Sequence, residues 1–179
     1  QLEVLKNWWD ENGTSLVITV VVTIGAIFGY RGWEESVIET GEAASAVYED
    51  LVIATDNIAA NASNDAVRIT AVSLAETLKA EHGDTTYAVF AAMRLAKVAV
   101  AQNDLEMALE ELRWALDNVS EEHLETTIRV RLSRVHLGLE DPASAMALLV
   151  DHHPASGQLA SVEEAKGDIF HSLGDLVQA

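Results

Sequence analysis

One uncharged stretch near the N-terminus constrains this chain more than any other feature. From Asn12 to Tyr30 the sequence NGTSLVITVVVTIGAIFGY contains no Asp, Glu, Lys or Arg over 19 residues. A helix rising 1.5 Å per residue would span about 28 Å here, which matches the hydrocarbon thickness of a bilayer. A buried core helix is the alternative, but core helices of that length usually carry a polar stripe. The stretch therefore predicts a single transmembrane helix near residues 12–33.

Aromatic residues flank this stretch on both sides. Trp8 and Trp9 precede it, and Tyr30 and Trp33 close it. As a helix, the segment from Trp9 to Trp33 would be about 36 Å long, which places aromatic rings at both headgroup levels. A cleaved signal peptide fits less well, because the segment before the stretch is acidic and no A-x-A site follows it.

Charge excludes some functions but leaves the orientation open. Lys6 before the stretch balances Arg31 after it, so the positive-inside rule does not decide which side the rest of the chain occupies. The whole chain has 29 Asp and Glu against 11 Lys and Arg, a formal net charge of -18. Such a chain repels phosphate, so no nucleic acid partner is expected. With no cysteine, it has no disulfides or thiolate metal sites.

Two amphipathic helices are predicted after the membrane segment. Residues 34–60 have apolar side chains at three- and four-residue intervals, and no proline or glycine-rich linker separates them from the membrane helix. A second helix is predicted over residues 65–82, where Gly83 ends it. Its inward side chains are Ala71, Leu74, Ala75 and Leu78.

Three later segments share one internal spacing. Each has a residue pair followed 12 positions later by Ala: Leu95-Ala96 with Ala108, Leu132-Ser133 with Ala145, and Lys166-Gly167 with Ala179. The first two units are 37 residues apart and the next two are 34 apart. This register resembles the 34-residue tetratricopeptide repeat, in which small residues lie where two helices cross closely. A generic array of Ala-rich helical hairpins is the alternative.

We therefore predict an all-α protein with two domains. Residues 1–33 form an N-terminal flank and transmembrane helix, and residues 34–179 form a tetratricopeptide-like α-solenoid with two full hairpins. The turns within the repeats are predicted at Asn103-Asp104, Glu140-Asp141-Pro142 and Gly174-Asp175. Ala179 falls where the second helix of the third repeat should begin its close contact, so we expect a C-terminally truncated domain.

No catalytic constellation is present in the sequence. The six histidines lack H-E-x-x-H spacing, and His152-His153 before Pro154 is typical of a loop rather than a metal site. Nucleophile-elbow, P-loop and dinucleotide motifs are absent. Neighbouring carboxylates such as Glu110-Glu111 are typical of solvated faces, not of acid-base pairs. We expect no enzyme activity, no cofactor and no metal.

Two surfaces are candidates for partner binding. Glycines four residues apart, Gly25 and Gly29, would form a flat face for close helix packing in the membrane. In the solenoid, first helices of successive repeats line the concave face, which would suit an extended or helical apolar segment. The exposed positions there should be Phe90, Met93, Lys97, Val100, Val130, Arg134 and Leu137. The alternative is that the chain covers these residues itself.

One family shares the whole pattern. The segment Lys6-Asn-Trp-Trp-Asp-Glu-Asn12-Gly13, the apolar run, and Gly29-Tyr30-Arg31-Gly32-Trp33 resemble the YfgM-type ancillary subunits of the bacterial SecYEG translocon. Leu132-Ser133-Arg134-Val135 is similar to a later helix of that family, with Ser133 as a departure. The resemblance covers essentially the entire chain and names no catalytic residues.

The resemblance implies a function and a location. These expectations are a single-pass protein of the bacterial inner membrane with its C-terminal domain in the periplasm, bound to the SecYEG translocon and to a PpiD-type periplasmic chaperone. Unfolded or emerging polypeptides and membrane lipid would be further partners. The chain would be a non-enzymatic, membrane-tethered interaction module. The alternative is a membrane-anchored tetratricopeptide adaptor for a regulator or enzyme unrelated to export.

Overall fold

The computed structural model of the chain describes residues 2–60, 65–154 and 156–174. Within these residues the chain forms seven α-helices and no strand. The helices are α1 (Leu2–Ala60), α2 (Asp65–Glu81), α3 (Thr86–Ala101), α4 (Leu105–Asn118), α5 (Glu122–Gly138), α6 (Pro142–Ala147) and α7 (Leu159–Ser172). The predicted all-α fold is confirmed. The chain divides into two units, Gln1–Glu42 and Ala43–Ala179, and the predicted boundary after residue 33 stays a prediction.

The first unit is dominated by the apolar part of α1. Within the described residues, the segment of α1 from Asn12 onward is the one stretch long and apolar enough to cross a membrane. Its large side chains face outward, and Phe28 is 70% exposed. The Thr19 hydroxyl donates to the Ser15 carbonyl at 2.8 Å, and the Thr23 hydroxyl donates to the Thr19 carbonyl at 2.7 Å. Because these hydroxyls are satisfied within the helix, they reduce the cost of placing it in hydrocarbon.

The second unit begins with a core built largely from alanine. The end of α1 contributes Ala44, Leu51, Ala54 and Ile58, which pack with apolar side chains of α2 and α3. Of the inward positions predicted for α2, Ala71, Ala75 and Leu78 are fully buried, and Leu74 is half-buried. Such small side chains allow the helix axes to approach closely.

Gly83 ends α2, as the sequence predicts. The last residue of the helix is Glu81, and a Cβ placed on Gly83 would lie 2.6 Å from the Lys79 carbonyl oxygen. Any larger residue would force the backbone to shift, so the turn into α3 depends on glycine here.

The repeat spacing matches the observed hairpins. In the first hairpin, α3 and α4, the predicted packing residues are buried: Ala96, Ala108, Leu112 and Ala115. In the second, α5 and α6, Ser133, Ala145 and Leu149 are at most 1% exposed. The second hairpin is shorter than predicted, because α6 has six residues and gives way to turns.

The third repeat is represented by α7. Its Val162, Ala165 and Ile169 pack with Val130, Ala145 and Leu149 in a C-terminal cluster. The predicted pair Lys166-Gly167 is half-buried on this helix. Asp175 and Ala179, where the next turn and helix were predicted, lie outside the described residues.

Three turns share one backbone conformation. Asn103, Glu140 and Gly174 have positive φ angles of 61°, 60° and 77°. They are separated by the same 37 and 34 residues that relate the three repeats. A left-handed residue just after a helix turns the chain sharply and satisfies terminal carbonyls. The Asp104 amide donates to the Ala99 carbonyl, and the Asp141 amide donates to the His136 carbonyl, both at 2.9 Å. The repeat register predicted from small residues is therefore also present in the turns.

A buried ion pair connects α2 with α4. The Lys79 ammonium lies 2.9 Å from a carboxylate oxygen of Glu111 and 2.6 Å from Glu76, and it is 5.7 Å from the centre of the Trp114 ring. The side chains of Lys79 and Glu111 are 11% and 9% exposed. The expectation that the acidic pair Glu110-Glu111 is wholly solvated is thus wrong for Glu111, since its face of α4 packs on α2.

Ionisation of this pair is controlled by burial. Burial raises the pKa of the Glu111 carboxyl above its usual range, and the Lys79 ammonium opposes that change only in part. Burial would lower the pKa of Lys79, but hydrogen bonds and charge from Glu76 and Glu111 outweigh it, so that pKa is raised. Lys79 therefore remains charged, while Glu111 accepts a proton more readily than an exposed glutamate does.

Candidate protein-interaction site

An apolar cavity in the solenoid lies between helices of two successive repeats. Met93, Lys97 and Val100 recur at four- and three-residue spacing on α3, so they share one face of that helix. Arg131 and Arg134 are three residues apart on α5 and share a face in the same way. The cavity that these two faces enclose has a volume of about 390 Å³.

The cavity has an apolar floor and a basic rim. Ala96 of α3, Leu105 and Leu112 of α4, and Val135 of α5 complete its lining. Ala96 and Leu112 are each 2% exposed, whereas Val100 at the edge is 47% exposed. Its volume falls within the ~300–1,000 Å³ typical of ligand-binding pockets. An apolar side chain can be buried there while polar groups beside it meet the basic residues.

The structure brings together four of the seven predicted groove residues, which are Met93, Lys97, Val100 and Arg134. Met93 is only 8% exposed, so its predicted exposure is wrong. The other three pack elsewhere. The Phe90 ring lies 6.1 Å from the Tyr48 ring of α1, and Val130 and Leu137 belong to the C-terminal cluster with α6 and α7. The chain itself covers this part of the predicted surface, which was the alternative interpretation.

Five lining residues were not among the predicted groove positions: Ala96, Leu105, Leu112, Arg131 and Val135. Ala96 and Leu112 were predicted as packing residues, whereas the other three were missed. Arg131 precedes Arg134 by three residues, and that spacing on a helix is the signal that could have revealed it. Leu105 opens α4 directly after the turn, and no pattern in the sequence distinguishes it from a core position. Whether Leu105 lines the cavity depends on the direction in which α4 continues from the turn.

The basic rim is only partly neutralised. Arg134 lies 3.5 Å from a Glu164 carboxylate oxygen and 3.9 Å from Asp168, both on α7. Within the described part of the chain, Lys97 and Arg131 form no ion pair. Their charges are therefore available to a binding partner.

The second candidate surface belongs to the first unit. A Cβ at Gly25 or at Gly29 would meet no atom within 4 Å, so both glycines present open backbone. Nothing within the described chain requires glycine at either position, and a role in close packing against another helix stays a prediction.

The histidine pair lies in a loop, as the sequence predicts. His152 and His153 follow the turns after α6. The His152 Nε2 atom is 2.9 Å from the Thr126 hydroxyl, and burial lowers the pKa of His152, with the Arg129 charge acting in the same direction. Among the residues that the structure describes, no group of His, Asp and Glu is arranged to hold a metal ion.

Comparison with known proteins identifies relatives over nearly the whole chain. A protein-family model described as a tetratricopeptide repeat-like domain matches residues 6–179. No solved structure matches the chain with significance.

Three curated relatives are each named ancillary SecYEG translocon subunit. The protein from Escherichia coli K12 is 30% identical over 175 residues, covering 98% of this chain and 80% of the relative. The Haemophilus influenzae protein is 29% identical, covering 100% of this chain and 83% of the relative. The Aggregatibacter actinomycetemcomitans protein is also 29% identical, covering 94% of this chain and 81% of the relative. The chain therefore belongs to the tetratricopeptide repeat-like family of ancillary SecYEG translocon subunits.

Proposed function

We propose that this protein is a non-enzymatic, membrane-tethered interaction module of the SecYEG translocon. The observation that carries the proposal is the alignment of relatives with that name along both the apolar segment and the solenoid. The proposed domains are a membrane anchor over residues 1–33 and an interaction domain over residues 34–179.

Membrane insertion is supported by the surface of α1. Large apolar side chains including Val21, Val22 and Phe28 are 63–70% exposed on the apolar segment. A contiguous exposed patch of this kind is unfavourable in water and marks a membrane or protein contact. An anchor at the channel exit would confine the solenoid there and raise its local concentration for partners.

The solenoid would supply binding surface without chemistry. We assign its partner contact to the cavity lined by Met93, Lys97, Val100, Arg131 and Arg134. A PpiD-type periplasmic chaperone or an unfolded, emerging polypeptide would place an apolar side chain there. Contact with lipid would be limited to the anchor, because the acidic domain is repelled by anionic headgroups.

Purification of the tagged full chain from bacterial membranes in mild detergent tests this proposal. We expect SecYEG and a PpiD-type chaperone among the recovered proteins. Recovery of another stable partner without SecYEG would contradict the proposal and favour an adaptor unrelated to export.

Substitutions can separate the two proposed contacts. Gly25→Leu with Gly29→Leu should weaken recovery through the membrane helix. Val20→Leu with Thr23→Leu, which lie more than about 100° around the helix from both glycines, should not. Val100→Glu should weaken recovery through the cavity, with Val150→Glu as its control, since both valines are about half exposed. If both test variants recover the same partners as the wild type, the contacts lie elsewhere.

The orientation can be tested because the chain has no cysteine. We expect a cysteine at exposed Ser156 (Ser156→Cys) to react with a membrane-impermeant maleimide applied to the periplasmic side. A cysteine at Lys6 (Lys6→Cys) should react only after the inner membrane is opened. The reverse pattern would place the solenoid in the cytoplasm.

A further inference from the structure

Two of the three unpaired cations in the described part of the acidic solenoid lie at one cavity. Residues 43–179 contain nine Lys and Arg against 22 Asp and Glu. All nine basic residues are described, and six form ion pairs with carboxylates: Arg68, Lys79, Arg94, Arg129, Arg134 and Lys166. The remaining three are Lys97, Arg113 and Arg131. Lys97 and Arg131 line the same cavity.

An unpaired cation is unexpected where carboxylates are so abundant. Lys97 and Arg131 lie on different helices and both adjoin the apolar floor formed by Ala96, Leu105 and Leu112. The repeat packing uses the floor residues but does not need these charges, because neither cation forms an ion pair with a described carboxylate of the solenoid. The combination is complementary to an apolar group that carries negative charge beside it.

Arg134 adds a third cation that can be shared. Its ion pairs with Glu164 and Asp168 are long, at 3.5 and 3.9 Å, and its side chain is 45% exposed. Exposed pairs of this kind contribute little stability, so an incoming carboxylate can compete for the guanidinium at small cost.

We propose that this cavity selects peptide segments in which an aliphatic side chain is flanked by acidic residues. The aliphatic side chain occupies the floor, and the carboxylates meet Lys97, Arg131 and Arg134. This inference rests on the proposed function, because it specifies the chemistry of the partner segment at the same cavity. A peptide is favoured over anionic lipid because the cations surround a cavity between three helices within a domain that is itself strongly acidic.

Three synthetic peptides test the selection. They share their leucine positions, and their polar positions are all Glu, all Gln or all Lys. Binding to the full chain in nanodiscs of neutral lipid is followed by fluorescence anisotropy. We expect the Glu peptide to bind most tightly and the Lys peptide most weakly. The preference for Glu should diminish as salt shortens the Debye length from ~10 Å at 0.1 M toward ~3 Å at 1 M.

Matched charge variants assign the effect to the cavity. Lys97→Gln with Arg131→Gln should weaken binding of the Glu peptide by about fivefold and leave the Gln peptide unchanged, as expected for two partly exposed charge contacts. Arg113→Gln removes the third unpaired cation, which lies outside this cavity, and should change neither affinity. Since these side chains are exposed, all variants should keep the wild-type circular dichroism spectrum.

Other outcomes would overturn the inference and remain distinct from a failure of the proposed function. Equal wild-type affinity for the Glu and Gln peptides would show a groove without charge selection. If Arg113→Gln weakened binding of the Glu peptide as much as Lys97→Gln with Arg131→Gln does, the charge effect would be nonspecific. Binding to anionic vesicles that depends on Lys97 and Arg131, without peptide binding, would assign the cations to lipid. Recovery of SecYEG from membranes tests the proposed function independently of all three results.

Discussion

The two complete repeats share a turn but differ in the length of the helix after it. In both hairpins a left-handed residue, Asn103 or Glu140, precedes an aspartate that caps the second helix. The Asp104 carboxylate accepts from the Met107 amide at 3.1 Å, and the Asp141 carboxylate accepts from the Ser144 amide at 3.0 Å. The second helix then has 14 residues in α4 but only six in α6.

The two second helices differ in how the chain continues after their first turn. In α4, the buried residues Ala108, Leu109, Leu112 and Ala115 continue one helical face to the end of the helix. After α6, Leu149 is still buried, but its amide donates to the Met146 carbonyl at 3.0 Å, and residues 148–151 form turns instead of a regular helix. Pro154 disfavours helical backbone only at His153, so it does not account for the end of α6 at Ala147. The turn is thus a local property of a few residues, and the same turn is followed by second helices of different length.

The largest expected difference between the hairpins concerns their ion pairs. Lys79→Met would leave Glu111 of α4 buried without a counter-ion. This should lower the free energy of unfolding by about 3–5 kcal/mol. The loss should shrink as the pH falls, because burial already raises the pKa of Glu111 and the carboxyl takes up a proton. In the second hairpin, Arg129→Met breaks a partly exposed pair with Glu125 and should cost at most about 1 kcal/mol. Urea unfolding followed by circular dichroism measures both.

A double variant provides the control for this prediction. Lys79→Met with Glu111→Leu removes both charges and should restore most of the stability that Lys79→Met loses. A double variant no more stable than Lys79→Met alone would mean that the packing of the lysine stem, not the unpaired carboxylate, causes the loss.

Cavity-forming substitutions should also separate the hairpins. Leu112 and Leu149 are both at most 2% exposed, one on regular α4 and the other in the turns after α6. Leu→Ala in a core costs about 2–5 kcal/mol, less where the surroundings can collapse into the space. We expect the stability loss of Leu112→Ala to lie near the upper end of this range and that of Leu149→Ala near the lower end. Urea unfolding measures both losses. Equal losses would show that the short α6 region is as rigid as α4.

The shared turn should give equal effects in the two hairpins. Asp104→Ala and Asp141→Ala each remove an N-cap hydrogen bond and should lower the unfolding temperature by similar amounts. Asparagine substitutions at the same sites retain a capping oxygen and serve as controls. Thermal unfolding compares the four variants, and a loss confined to one hairpin would contradict the equivalence of the turns.

The smallest expected effect is a pH dependence confined to the second hairpin. Burial lowers the pKa of His152 below its usual value of 6.5, so the folded protein favours the neutral ring. The stability due to His152 is therefore present above pH 6.5 and is lost as the pH falls through the lowered value. We expect His152→Gln to reduce this dependence between about pH 7.5 and 5, and His153→Gln, which changes an exposed ring, to leave it intact. Unfolding in urea at several pH values measures the difference.

Much of the fold could be predicted from the sequence because its signals are local. The uncharged run, the stop at Gly83 and the 12-residue spacing from Ala96 to Ala108 each depend on neighbours within a few helical turns. The position of the repeat turns was predicted in the same way, since Asn-Asp and Glu-Asp-Pro are turn and cap residues. The fold class rested on these features, whereas the family resemblance rested on the residues that flank the apolar run and on Leu132-Ser133-Arg134-Val135.

The candidate site could be predicted only in part. Met93, Lys97 and Val100 were identified as one face of α3, because helical periodicity determines which residues share a face. Which face of α5 meets it is decided by how two helices pack across a sequence separation of more than 30 residues. That packing directs Val130 and Leu137 toward α7 and leaves Arg131 and Arg134 at the cavity.

The sequence by itself determined that this protein is helical, that it carries one membrane-length apolar segment and that its hairpins repeat. Each of these properties arises from spacing along the chain. Only the tertiary structure decided that Glu111 is buried against Lys79, that α6 is short and that Lys97 and Arg131 share one apolar cavity. The physical reason is that burial and charge pairing depend on side chains brought together from distant positions, whereas helical periodicity depends on neighbours.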